Sequence, residues 1–177
     1  MNVELVRYPE DRDWMDCKDC ALETVGLRAK NAPDSEWRRK ILRARHSPIR
    51  ELLYKYRITD LPYYIAMHLV RHHAGCQPYV RTQRNDRQSN YDRRKAPQDA
   101  LVTMRWTLNA ESLMNLANKR LCEHATEETR EVVQEMCRLA IEATPELYGL
   151  LVPMCIRNGG RCDEMKPCDK YNWGETK

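Results

Sequence analysis

Two stretches of two-residue alternation constrain this chain more than any other feature. Leu52, Tyr54, Tyr56 and Ile58 interleave with Leu53, Lys55 and Arg57, and further along Val102, Met104, Trp106 and Leu108 recur at every second position. Successive side chains of a strand point to opposite faces, so each stretch reads as a half-buried strand that needs a cover on one side.

Helical spacing around these strands supplies the cover. Trp14, Cys17, Ala21 and Val25 lead to Gly26 as a C-cap. Ser35 reads as the N-cap of a helix carrying Trp37, Ile41 and Leu42, and Ser47-Pro48 repeats the signal. Asp60 and Pro62 open a helix through Ile65 and Leu69 whose C-terminal end holds Arg71-His72-His73. Asn109 caps a helix with Leu113 and Leu116 that ends near His124. Thr126 caps another with Val132, Val133, Met136, Cys137, Ala140 and Ile141, and Thr144-Pro145 starts a last short segment. Val3 and Leu5 suit a short opening strand before Pro9. Gly75 to Pro97 is polar, basic and without period, and is expected to be a long surface loop. Strands and helices mix without βαβ repetition, which gives the class α+β.

With 177 residues, 42% of them hydrophobic, the chain has material for one core. One domain is expected over 1–153, followed by a Cys-rich tail over 154–177. No run is long and apolar enough for a membrane span, and the N-terminus meets charge early, so a cytoplasmic protein is expected. Gly-rich phosphate loops, a GxSxG elbow and an HExxH pair are all missing, which removes those enzyme classes.

The net charge of +4 is gathered in two runs, one of Arg38, Arg39, Lys40, Arg43 and Arg45 and one of Arg81, Arg84, Arg87, Arg93, Arg94 and Lys95. The first reads as a solvated face. The second follows Arg71-His72-His73 and suits an anionic partner such as a phosphate. A second cluster of polar groups is Asn109, Asn115, Arg120 and His124. Arg120 and His124 stand four apart and share a helix side, and an Arg fork suits phosphate oxygens or a pyrimidine carbonyl.

Eight cysteines without a secretory signal favour metal binding or burial over a disulfide framework. Cys17 and Cys20 fall one turn apart on an apolar stripe and read as core. Cys122, Cys155, Cys162 and Cys168 could form a zinc or iron–sulfur site, with Gly159-Gly160 allowing the turn between them. The plainer alternative is a buried Cys122 and a tail of free thiols.

Two segments carry a family resemblance. HSPIRELLYKYRITDLPYYIAMHLVRHH and LNAESLMNLANKRLCEHATEETR stand in the order, and in the strand and helix contexts, of the flavin-dependent thymidylate synthase family, and the similarity runs from about Ile41 to Leu147. The resemblance implies an antiparallel sheet with long helices in a homotetramer. Such proteins bind FAD between subunits and make dTMP from dUMP with methylenetetrahydrofolate and NADPH. It also implies FAD contacts from Ser47, Arg71, His72, His73, Asn109, Asn115 and His124. His68, Arg81, Gln83 and Arg84 would contact the nucleotide, and Arg120 would reach the pyrimidine and help to activate it. Arg71 and His72 of one subunit would face Asn115, Arg120 and His124 of a neighbour.

Several positions depart from the family pattern. His73 stands for its second Arg, Arg81 for its Ser, Tyr79 for its acidic residue and Glu111 for a further Arg. Two other functions fit the same residues. One is a flavoprotein oxidoreductase without methyl transfer, which would oxidise NADPH and yield no dTMP. The other is a nucleic-acid-binding module without flavin, with Tyr79 and Tyr91 interleaved in the basic loop and a metal-stapled tail.

Overall fold

The computed structural model describes residues 1–84, 86–87, 92, 94–168 and 170; Arg93 and Tyr91 of the basic loop lie outside them. Four antiparallel strands form one sheet in the order β1-β2-β4-β3. β1 is Asn2–Arg7, β2 Leu53–Pro62, β3 Cys76–Val80 and β4 Leu101–Asn109. The two alternating stretches are the central pair: Tyr54 faces Leu108 and Tyr56 faces Trp106 across the ladder. Leu52, Tyr54, Tyr56, Ile58, Met104, Trp106 and Leu108 are all buried on the covered side.

The helices are α1 (Asp11–Glu23), α2 (Ser35–Ala44), α3 (Tyr63–Leu69), α4 (Ala110–Arg120), α5 (Glu127–Ala143) and α6 (Met154–Arg157), with short 3-10 turns at Ser47–Glu51 and Pro145–Leu147. α5 brings Val132, Val133, Met136 and Ala140 to the core. Two tyrosines of β2 reach it with their hydroxyls. Tyr56 donates to the Met136 carbonyl at 3.0 Å, and Tyr54 bonds Thr144 Oγ1 at 3.1 Å. Both rings are fully buried, and a Phe at either position would lose that link to α5.

Four local expectations are corrected. The stretch after Gly75 is not all loop, because Cys76–Val80 pairs with β4 as an edge strand, with Pro78 opposite Trp106. An edge tolerates proline, since the missing N–H has no outer neighbour to serve. Asp60 does not open α3. It lies in β2 with φ 53, where the ladder to β4 shifts register between Ile58 and Leu61. Asp34 rather than Ser35 caps α2, its Oδ1 accepting from the Trp37 amide at 2.8 Å. Val25 lies beyond α1 and is exposed, as is Cys20, while Cys17 is buried and its thiol is pushed up to about 12 by that burial. The Asn109 cap holds as read: its Oδ1 accepts from the Ser112 amide at 2.8 Å.

Candidate functional site

The C-terminal ends of α3 and α4 meet over α5, and the site is built at that corner. Arg120, in the last turn of α4, donates through Nε to His72 Nε2 at 2.9 Å and through Nη2 to the His68 carbonyl at 3.0 Å. The second bond satisfies a carbonyl in the last turn of α3, where helical acceptors lack partners and a cation is favoured. Since Nε2 of His72 accepts, the ring proton is on Nδ1. Burial, then Arg120 and His73, lower His72 to about 4, so its ring is neutral at pH 7. Burial and the nearby Arg71 likewise lower Arg120 from its ordinary value. The contact between His72 and Arg120 is made within one chain, whereas the resemblance implied one across subunits.

Arg120 has five N–H donors, and the two bonds described use two of them. Its fork is therefore aimed by the protein with donors to spare for an anionic or carbonyl ligand.

Asn115 and Asn118, one turn apart on α4, are both held by Arg45. Its two Nη groups donate to Asn115 Oδ1 and Asn118 Oδ1, each at 2.8 Å. Arg45 ends α2 in the left-handed region at φ 53, a conformation a non-glycine residue rarely takes. Asn118 then donates to the Val152 carbonyl at 2.6 Å. Nothing in the sequence spacing marks Arg45 or Asn118 for this role.

The chain after β3 forms the second part. Arg81 continues the strand by donating its amide to the Thr103 carbonyl at 2.8 Å. A cavity of about 240 Å³ is lined by Tyr63, Met67, Val80, Arg81, Gln83 and Arg84, together with Thr82. Tyr63 and Met67 are four apart on α3 and turn the same way, and Arg71 follows four residues later. Gln83 Nε2 is buried without a hydrogen-bond partner among the described residues. An orphan amide donor costs stability unless a ligand satisfies it, so this cavity fits a polar guest. Arg84 is engaged with Asp86 through two bonds, at 2.9 and 2.6 Å.

Gly75 ties the two parts together. It holds φ +67, and a Cβ there would stand 2.3 Å from Ser112 Oγ and 2.5 Å from Asn109 Nδ2. Ser112 Oγ donates to the Ala74 carbonyl at 2.7 Å. The turn from His73 into β3 therefore sits directly on the N-terminus of α4.

The side chains of the other candidate residues are engaged in other bonds or cavities. His68 turns its ring to Thr129 Oγ1 at 3.3 Å, facing α5, and His73 folds back on the Arg71 carbonyl at 3.0 Å. Asn109 spends its side-chain oxygen on the α4 cap. Ser47 lines a separate cavity with Cys20, Thr24 and Arg50. His124 Nε2 bonds the Lys166 carbonyl at 2.7 Å, in the tail. Glu111, where the resemblance has an Arg, is paired with Arg50 at 2.6 Å.

Residues 89–146 match the family model for the thymidylate synthase complementing protein. No curated protein matches the chain in sequence. Among solved structures, the chain is similar to the flavin-dependent thymidylate synthase ThyX from Helicobacter pylori complexed with FAD and dUMP. That match has a TM-score of 0.67 at 14% identity and covers 86% of this chain and 100% of the other. It is also similar to the UMP/dUMP methylase PolB from Streptomyces cacaoi bound with 5-Br dUMP, with a TM-score of 0.64 at 16% identity, covering 84% of this chain and 93% of the other. The fold is that of the ThyX structures, as the α+β reading with an antiparallel sheet requires.

Proposed function

From the premise that this chain is a divergent relative of the flavin-dependent thymidylate synthase family, we propose that it binds FAD and a uridine nucleotide and methylates the uracil ring. The proposed reaction moves the methylene carbon of methylenetetrahydrofolate onto C5 of dUMP. NADPH and a proton supply the two hydrogens that yield dTMP, tetrahydrofolate and NADP⁺. FAD, when bound, would relay the hydride. The observation that carries the reading is the half-buried Arg120 fork, fixed by His72 and the His68 carbonyl and left with donors to spare.

The residues present fit the guests. Arg71, His72 and Arg120 gather cationic and hydrogen-bonding groups on one corner, which suits a flavin carrying a pyrophosphate. Gln83 Nε2 and Arg81 offer donors in the 240 Å³ cavity for the nucleotide. In chemical terms, Arg120 stabilises negative charge that develops on a uracil carbonyl as C5 becomes nucleophilic. It does so without giving up a proton, because a guanidinium stays charged. His72 stays neutral and positions Arg120, so the corner carries cations on Arg71 and Arg120 without a third between them.

A homotetramer in the cytoplasm, with the flavin between subunits, belongs to the same reading. No helix of the described residues is long and apolar enough to cross a membrane.

The test is an absorbance titration of the purified chain with FAD and then dUMP, followed by an assay with methylenetetrahydrofolate and NADPH. Bound-flavin bands perturbed by dUMP, and dTMP as product, are expected. A chain that retains no FAD would overturn the reading, and NADPH oxidation without dTMP would replace methyl transfer with a flavoprotein oxidoreductase.

A further inference from the structure

Two segments remote from one another in sequence deliver four thiols to one cavity. Cys122 comes from the turn after α4, Cys155 from α6, and Cys162 and Cys168 from the irregular chain beyond. The cavity is about 140 Å³, and Cys122, Cys155, Cys162 and Cys168 all line it. The remaining cysteines are dispersed: Cys17, Cys76 and Cys137 are buried in the core and Cys20 is exposed on α1.

The local backbone serves this gathering. α6 is one turn long and is closed by Gly159 and Gly160, at φ +71 and +93. The Gly160 amide donates to the Cys155 carbonyl at 2.8 Å, which turns the chain back so that Cys162 returns to the side of Cys155. From 158 to 168 there is no helix or strand, and Met165 is fully exposed. The stretch is fixed instead at polar points: the Lys166 carbonyl on His124 and Glu164 near Lys119 at 3.8 Å. A segment with so little apolar burial is the kind that needs a staple.

We propose that Cys122, Cys155, Cys162 and Cys168 form a tetrathiolate site for one zinc ion that staples the tail onto the C-terminal end of α4. As they stand, no three His, Cys, Asp or Glu side chains among the described residues form a group ready to hold a metal ion. The thiols line the cavity, and ligation turns them inward as each loses its proton to solvent. Cys162 and Cys168 lie in chain without helix or strand, which is where the adjustment is made. The site is independent of the nucleotide reading, and the chemistry that selects its guest is soft sulfur in tetrahedral number.

The full-length chain, expressed with zinc and freed of loosely bound metal on a chelating resin, is analysed by elemental mass spectrometry. About one zinc per chain is expected, falling below about one tenth in Cys162→Ser/Cys168→Ser, with Cys20→Ser unchanged as the control. Refolding of the reduced chain with cobalt(II) gives a second readout: the intense visible bands of a tetrahedral thiolate site, lost in the same double variant. Circular dichroism checks that the variant keeps its fold. A metal-free wild type that also takes up no cobalt in tetrahedral form overturns the site. So does zinc retained in full by the double variant, or iron with acid-labile sulfide in place of zinc.

Discussion

The Arg120 guanidinium donates to His72 Nε2 at 2.9 Å across 48 residues of sequence, and the bond exists only while the imidazole is neutral. Protonating His72 removes the acceptor and sets a second cation against Arg120. Burial first, and then the charge of Arg120 and the neighbouring His73, hold the ring at about 4 instead of the ordinary 6.5. The unfolded chain takes up the proton first as pH falls, so the stability His72 contributes is complete above about 6.5 and is lost between about 6.5 and about 4. His72→Gln keeps an acceptor that does not titrate. Urea unfolding at about pH 7 and about pH 4.5 is expected to show a larger loss of stability in the wild type than in the variant. Parallel losses would remove His72 as the source.

Gly75→Ala strikes the joint between β3 and α4. A methyl group at φ +67 costs about 1–2 kcal/mol for the backbone alone. It also overlaps Ser112 Oγ and Asn109 Nδ2, both tied to the α4 cap, and the cap itself is worth about 1 kcal/mol. A total near 2–4 kcal/mol is expected as a lowered urea midpoint. A loss under about 0.5 kcal/mol would mean that the turn can move away from α4 at little cost.

The sequence made these elements legible to different degrees, for physical reasons. The alternation of Tyr54, Tyr56, Met104 and Trp106 specified the central strands, because a one-residue slip would send every one of those side chains to the wrong face. The Asn109 cap was legible because it acts on a neighbour three residues away. β3 was not, since an edge strand with Gln77, Pro78 and Tyr79 buries too little to show a period. Arg45 was hidden too: its role depends on a left-handed backbone and on Asn115 and Asn118 lying some seventy residues on, which no local spacing encodes. His72 and Arg120 were each legible as candidates, but their bond required α3 and α4 to end at one corner.

Asn118 is 1% exposed and bridges two segments, taking a bond from Arg45 and giving one to the Val152 carbonyl. Asn118→Ala leaves an Arg donor and a carbonyl without this partner in the interior, and a loss of about 2–3 kcal/mol is expected by chemical denaturation. Asn118→Asp keeps the acceptor for Arg45 and loses only the donor. It should fall between Ala and wild type, and an Asp variant as damaged as Ala would assign the effect to the Val152 bond alone.

Gln83 separates binding from folding. Its Nε2 is buried without a partner among the described residues, beside Arg81 in the cavity between α3 and the end of β3. In the unliganded chain that donor is a liability of about 1–3 kcal/mol, so replacing it with an apolar group of like length removes a cost. Gln83→Met is therefore expected to leave the urea midpoint unchanged or to raise it. For a guest that accepts from Nε2, the same change takes away a hydrogen bond made in a desolvated site. Affinity for dUMP, followed by calorimetry or flavin absorbance, should then drop by roughly 10-fold or more. An equal effect on stability and binding would make Gln83 an ordinary packing residue. Unchanged binding with raised stability would place the nucleotide away from this cavity, and would leave the Arg120 corner alone to hold it.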